Sequence, residues 1–183
     1  FGGSCFQKDI LNLVYLCKHY GLNEVAEYWH QVVKINDYQR KRLSELIINE
    51  IVDKSNRVCI LGWAFKSETN DSRESSSIYI SKQLLDHGLS INIYDPMVSK
   101  ERIFSDLNLV CENKVDNSKV NIFSNISSSI KNVHSVAILT EWEDFKNYDW
   151  KGYIEYKKDK VNIYDFRNII KDQLNDYKHY FKL

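Results

Sequence analysis

An α/β fold, with a long helix leading into a parallel sheet flanked by helices, is what this sequence predicts. Three observations carry the prediction. From Arg57 onward, short apolar runs of strand length alternate with stretches of helical periodicity. Ahead of them, the segment from Asn23 to about Asp53 keeps a helical pattern for longer than most globular helices last. One proline and six glycines in 183 residues leave few breakpoints, so the elements run long.

The elements follow in order. After Ser4, the apolar residues Phe6, Ile10, Leu13, Val14 and Cys17 recur at spacings of three and four, an amphipathic helix that Gly21 closes. The second helix carries Val25, Ala26, Trp29, Val32, Val33, Asn36, Leu43, Leu46, Ile47 and Ile51. A helix of that reach joins two domains or pairs with another subunit. RVCILGW (57–63) reads as a buried strand, and Ser72 to His87 as a helix closed by Gly88. LSINIYD (89–95) is the next strand, stopped by the turn signal Asp95-Pro96. VNIF (120–123), NVHSVAIL (132–139) and KVNIYDF (160–166) complete the strands, with a short helix and a loop expected between Ser99 and Lys119. Three parts result: a loop and helix at 1–22, a linker helix at 23–55 and an α/β domain at 56–183.

Bulk properties narrow the function. A formal net charge of zero gives no support for a nucleic-acid or membrane-surface partner. No apolar run approaches the length of a membrane span. The four cysteines, at 5, 17, 59 and 111, form neither a CxxC pair nor a Cys/His cluster with metal spacing. They suit reduced thiols, so a cytoplasmic protein without a bound metal is expected.

Three stretches carry candidate chemistry. In FGGSCFQKD (1–9), Gly2 and Gly3 let the backbone approach a ligand closely, and Ser4 is placed to cap the helix that follows. Cys5 then sits at a positive helix end, which favours thiolate. Asp9 lies one turn on, on the same face, able to position water or accept a proton. A structural cysteine beside a capped helix fits the same spacing. The loop 61–77 lacks the G-x-G-x-x-G fingerprint but offers Lys66 and Arg73 before a hydroxyl-rich helix start, a setting suited to phosphates. A solvated loop with surface ion pairs is the alternative. Arg167 follows the last strand and can reach the same crevice. The five histidines share no catalytic or metal spacing.

Together, FGGSCFQKD (1–9), NDYQRKR (36–42), LGWAFK…DSRESSSIYISK (61–82), NIYDP (92–96), LTEWEDF (139–145) and YDFRN (164–168) resemble the UDP-glucose 6-dehydrogenase family along essentially the whole chain. The resemblance implies a Rossmann-like parallel sheet that binds the UDP of UDP-glucose, and NAD as cofactor. It also implies a homo-oligomer, a dimer or a hexamer built from dimers. The family's N-terminal NAD-binding domain has no counterpart in these residues, so a chain starting mid-enzyme is expected. By resemblance Cys5 is the nucleophile that holds the C6 aldehyde as a thiohemiacetal and then a thioester, and Asp9 manages the proton of hydrolysis. Phe1, Gly2, Phe65, Lys66 and Arg167 match substrate positions, and Cys5, Phe6, Gln7, Lys8 and Arg73 match cofactor positions. Another nucleotide-sugar dehydrogenase, or a UDP-binding assembly module without catalysis, remains open. Two departures stand out. Phe166 replaces the family's glycine and either redirects the Arg167 loop or fills space beside the ligand. Trp63 replaces a common phenylalanine and is expected to alter little.

Overall fold

The computed structural model describes all residues except 52, 54, 55, 113, 158, 159 and 183. Helices α1 (Ser4–His19) and α2 (Asn23–Asn49) pack together through Ile10, Val14 and Cys17 on one side and Ala26 and Val33 on the other. Those positions follow helical spacing, which is why the apolar rows meet. Gly21 adopts φ +75°, and Leu22 N–H bonds back to Cys17 O at 2.9 Å, closing α1. The helix predicted to run to Asp53 stops at Asn49, and the expected boundary at 55 lies outside the described residues.

Six parallel strands form the sheet, in the order β3-β2-β1-β4-β5-β6. They are β1 (Arg57–Leu61), β2 (Ser90–Tyr94), β3 (Val120–Ile122), β4 (Ser135–Ile138), β5 (Asn162–Asp165) and β6 (Tyr180–Lys182). Helices α3 (Ser76–Asp86), α4 (Lys100–Val110), α5 (Ile126–Ser129), α6 (Glu143–Lys146), α7 (Trp150–Tyr156) and α8 (Lys171–Leu174) make the crossovers. Strands β1, β2, β4 and β5, buried on both faces, read as largely apolar runs in sequence. Leu61 pairs with both Tyr94 and Ile138, so β1, β2 and β4 end level. The strand order reverses between β1 and β4, where open α/β sheets hold ligands.

Ile47, fully buried, belongs to the sheet's core, whereas Val33 belongs to the α1–α2 cluster. One helix therefore joins two cores. Expected and observed elements differ where backbone geometry intervenes. The helix predicted from Ser72 starts at Ser76, because Glu74 takes φ +55° and Ser75 caps from outside, accepting from Ser77 N–H. The strand predicted from 132 starts at 135, after Asn132 at φ +55°. Strand β6 was not predicted; Phe181 stacks on Tyr164 at 4.9 Å and adds three residues to the sheet edge.

Candidate functional site

The crevice between β1 and β4 is built on close backbone approach. Gly62, ending β1, has φ +96°, and a Cβ there would lie 2.4 Å from the Thr140 side chain. Thr140 in turn donates to Ala64 O at 2.7 Å. Asp95, just beyond β2, accepts from Trp63 N at 2.6 Å, Ala64 N at 3.0 Å and the Trp142 indole at 3.2 Å. It also accepts from Met97 N and Val98 N, both at 2.9 Å. One buried carboxylate thus ties the loops after β1, β2 and β4 together. Read in sequence as a turn signal only, Asp95 is an organiser of the site.

Trp63 does more than keep an aromatic. Its indole N–H donates at 3.0 Å to the buried Asp106 of α4, which also accepts from Ser72 Oγ at 2.5 Å and pairs with Arg102 at 2.9 Å. Phenylalanine cannot make the first bond. Trp63→Phe should therefore lower stability by about 1–2 kcal/mol, the scale of a lost buried bond to a charged group. Urea unfolding of the variant measures it, and an unchanged midpoint would contradict the assigned bond.

The arm after β1 carries Phe65 and Lys66, with the exposed Lys66 ammonium 5.7 Å from the Phe65 ring centre. Ser67 N–H donates to Glu141 Oε1 at 3.4 Å, and Arg167 Nε lies 3.3 Å from Glu141 Oε2. Glu141 so bridges the loops that carry Lys66 and Arg167. Arg167 also donates to Leu139 O at 2.8 Å, and Asp165 accepts its backbone N–H at 3.2 Å. Phe166 turns inward, 7 % exposed, with its ring 5.8 Å from that of Tyr164. Its backbone keeps a negative φ, so glycine's freedom is not needed here. The Phe166 ring joins the core, and Arg167 stands exposed at the rim.

The thiol loop lies across this arm. Gly3 N–H donates to Arg73 O at 2.9 Å. A Cβ on Gly2 would lie 2.9 Å from both Glu74 O and Phe65 Cβ, and one on Gly3, at φ +83°, would meet the Phe65 ring at 3.0 Å. Glu74 O and Phe65 Cβ leave no room for a side chain at Gly2, and the positive φ calls for glycine at Gly3. Helix α1 begins at Ser4 with Gly3 as its N-cap and no side-chain cap bond, so Ser4 does not cap as expected. Cys5 still stands in the first turn and is exposed, while Cys17 and Cys59 are buried and Cys111 is half-buried. Burial pushes the Cys59 thiol up to about 12, which keeps it protonated and inert.

Arg73 grips Asp71 through Nε at 3.0 Å and Nη2 at 2.8 Å. That bond holds the Arg73 guanidinium above its usual range. Arg73 also lines a cleft of about 520 Å³ with Asn70, Asp71, Ser72, Met97, Ser99 and Arg102. The Phe1 and Phe6 rings meet edge to face at 4.7 Å. Gln7 is half-buried, with an Oε1 that has no partner among the described residues. Lys8 and Asp9 lie on the exposed side of α1, 3.8 Å apart. The loop of Phe1, Gly2 and Gly3 thus lies against Phe65 and the 73–74 backbone, with Cys5 in the next turn of α1; Lys66 and Arg167 share a second rim through Glu141, and Asp9 stays one turn from Cys5 in solvent.

Two residues of α2, read in sequence only as part of the linker, belong here as well. Asn36 bonds both polar atoms of Phe1, accepting from its nitrogen at 2.7 Å and donating to its oxygen at 3.0 Å. Arg40, 3 % exposed, donates to Glu74 O at 2.8 Å and Phe1 O at 3.4 Å. The available signal was a polar pair continuing the buried row Ala26, Val33, Ser44 and Ile47.

Residues 59–172 match the model of the UDP-glucose/GDP-mannose dehydrogenase family, UDP binding domain, and residues 1–38 match that family's central domain. The chain is 46 % identical over 182 residues to UDP-glucose 6-dehydrogenase of Gallus gallus, an alignment covering 96 % of this chain and 36 % of the relative. Against the enzyme of that name from Drosophila melanogaster it is 43 % identical over 177 residues, covering 93 % and 37 %. The chain therefore spans a little over a third of the length of these relatives. Among solved structures, a UDP-glucose dehydrogenase from Pyrobaculum islandicum superposes with a TM-score of 0.73 at 24 % identity, over 99 % of this chain and 37 % of that one. A ternary complex of GDP-mannose dehydrogenase from Pseudomonas aeruginosa gives 0.75 at 17 %, over 100 % and 39 %. At those identities the likeness shows the fold alone. The match at 59–172 takes in more than half of the residues, and on that ground the chain belongs to the UDP-glucose/GDP-mannose dehydrogenase family.

Proposed function

We propose that this chain is the thiol-bearing, UDP-binding part of an NAD-dependent UDP-glucose 6-dehydrogenase, which oxidises UDP-glucose to UDP-glucuronate. The observation that carries the reading is the thiol loop laid on Phe65 and bonded to Arg73, which makes one surface of Cys5 and the strand-end loops. Lys66 and Arg167, both exposed at the rim, supply the cations for the diphosphate. Phe1 and Gly2 bring the sugar against Cys5.

Residues around the thiol also suit NAD. Arg73 and Lys8 are exposed cations flanking Cys5, and the unpartnered Gln7 Oε1 offers an acceptor. When bound, NAD accepts a hydride at each of two oxidations. The Cys5 sulfur adds to the aldehyde carbon formed in the first, giving a thiohemiacetal whose hydroxyl takes the proton. Loss of hydride from that carbon and of the hydroxyl proton leaves a thioester. Water then attacks the thioester carbon, Asp9 receives the proton from water, and the thiol departs as UDP-glucuronate forms.

The remaining parts of the reading rest on further observations. All four cysteines are unpaired, which suits a reducing cytoplasm. Among the described residues no helix is long and apolar enough to cross a membrane, and no group of side chains could hold a metal ion. Leu11, Tyr15, Leu16, Tyr28, Ile35 and Tyr38 stand exposed on α1 and α2, an apolar surface suited to a second copy of the chain. Calorimetric titration with UDP and GDP tests the reading: binding of UDP in preference to GDP is expected, and no binding of UDP would contradict it. These 183 residues alone should bind UDP without reducing NAD. In the complete enzyme, Lys66→Ala should raise the KM for UDP-glucose, and Arg73→Gln that for NAD, each about tenfold, the scale of one charge-assisted bond. Unchanged KM values in both would return the loop to an ordinary solvated surface.

A further inference from the structure

Arg40 is a buried cation that no step above requires. Its guanidinium is 3 % exposed, and its Nε has no partner among the described residues. Placing such a group in the interior is costly, so the contacts it makes identify its task. One terminal nitrogen donates to the backbone oxygens of Glu74, at 2.8 Å, and Phe1, at 3.4 Å. The other reaches Asp37 at 3.3 Å. The guanidinium carbon stands 4.1 Å over the Tyr79 ring, while the Tyr79 hydroxyl donates to Glu74 Oε2 at 2.7 Å. Burial, then the bond to Glu74, pushes the Tyr79 hydroxyl up to about 12, so it remains a donor at neutral pH.

These contacts close a circuit. Phe1 O is tied through Arg40 to Glu74 O, and the neighbouring Arg73 O is tied through Gly3 N–H back to the thiol loop. Glu74 holds φ +55°, a strained setting for a side-chain-bearing residue that persists only when its surroundings impose it. The grip of Arg40 on its carbonyl, and of Tyr79 on its carboxylate, imposes it here.

We propose that Arg40 is a positioning residue that holds the thiol loop, and with it Cys5, against the backbone of the segment that carries Arg73. The proposal rests on the reading of Cys5 and Arg73 as parts of one dehydrogenase site. A planar fork stacked on a ring and shared between two carbonyls is not reproduced by lysine, so charge alone does not suffice.

The test compares alkylation of Cys5 by iodoacetate and iodoacetamide, with each cysteine mapped by mass spectrometry. A nearby Arg73 favours the anionic reagent, so the ratio of the two rates reports the spacing of the pair. In folded Arg40→Met and Arg40→Lys chains the ratio at Cys5 should fall about threefold, the scale of one partly exposed charge interaction, with no change at Cys111. Arg73→Gln supplies the reference fall. Should Arg40→Met fail to fold, Arg40→Lys alone decides. A wild-type ratio at Cys5 in a folded variant would overturn the assignment, as would an equal fall at Cys111, which reports general loosening. Titration of the wild-type chain with UDP is scored apart. Failure to bind there removes the functional reading, whatever the ratio shows.

Discussion

Cys5→Ser in the complete enzyme should cut release of UDP-glucuronate by on the order of 10³-fold or more, as losses of an enzymatic nucleophile do. The reason is chemical as much as positional. A thiol adds readily to an aldehyde, and the resulting thioester is far more open to water than an oxygen ester. Serine at the same helix turn can occupy the space without either property. Of the four cysteines only Cys5 is exposed, and Cys59, fully buried, cannot substitute for it. Product chromatography after a fixed time decides the matter. Normal turnover in the serine variant would remove Cys5 from the mechanism while leaving the UDP-binding assignment in place.

Asp95→Ala should cost about 4 kcal/mol of unfolding free energy, because several buried donors lose their acceptor at once. Five groups converge on that carboxylate: four backbone N–H groups from two loops and the Trp142 indole. Backbone donors cannot turn away, and the side chain is only 7 % exposed, so water replaces little of what is removed. The loops after β1 and β4 are the walls of the crevice, so UDP affinity should fall together with stability. Urea unfolding and UDP titration measure the two effects. A loss well under 1 kcal/mol would mean that the loops are held by other contacts.

The sheet was largely legible in the sequence. RVCIL, SINIY and SVAI are buried on both faces and read as apolar runs, each bounded by a glycine, a proline turn or polar residues. Strand β6 escaped notice because Tyr180, Phe181 and Lys182 are three residues at a half-exposed edge, too short for a pattern. Helices α5, α6 and α8 span four residues each, one turn, so no periodicity could reveal them. The start of α3 depended on a positive φ at Glu74, which no pattern of hydrophobicity encodes.

The site divides in the same way. Cys5, Lys66 and Arg73 belong to compact motifs whose residue types suggest a thiol and an anion cradle, whereas Phe65 came only from the family resemblance. Asn36, Arg40, Asp95 and Asp106 were missed because their meaning lies in long-range pairings. Asn36 meets Phe1 from 35 residues away, and Asp106 meets Trp63 from 43. Polar residues continuing the buried row of Ala26, Val33 and Ile47 were the one local hint for Arg40. Trp63 illustrates the converse: as an aromatic it looked interchangeable with phenylalanine, yet its indole N–H is what reaches Asp106.

The most direct test of the central claim counts NADH formed per UDP-glucose by the complete enzyme with NAD in excess. A thiol relay through Cys5 retains the aldehyde for a second oxidation, so the account predicts two NADH per sugar with UDP-glucuronate as the product. One NADH per sugar with a free aldehyde, or no NADH at all, would contradict it.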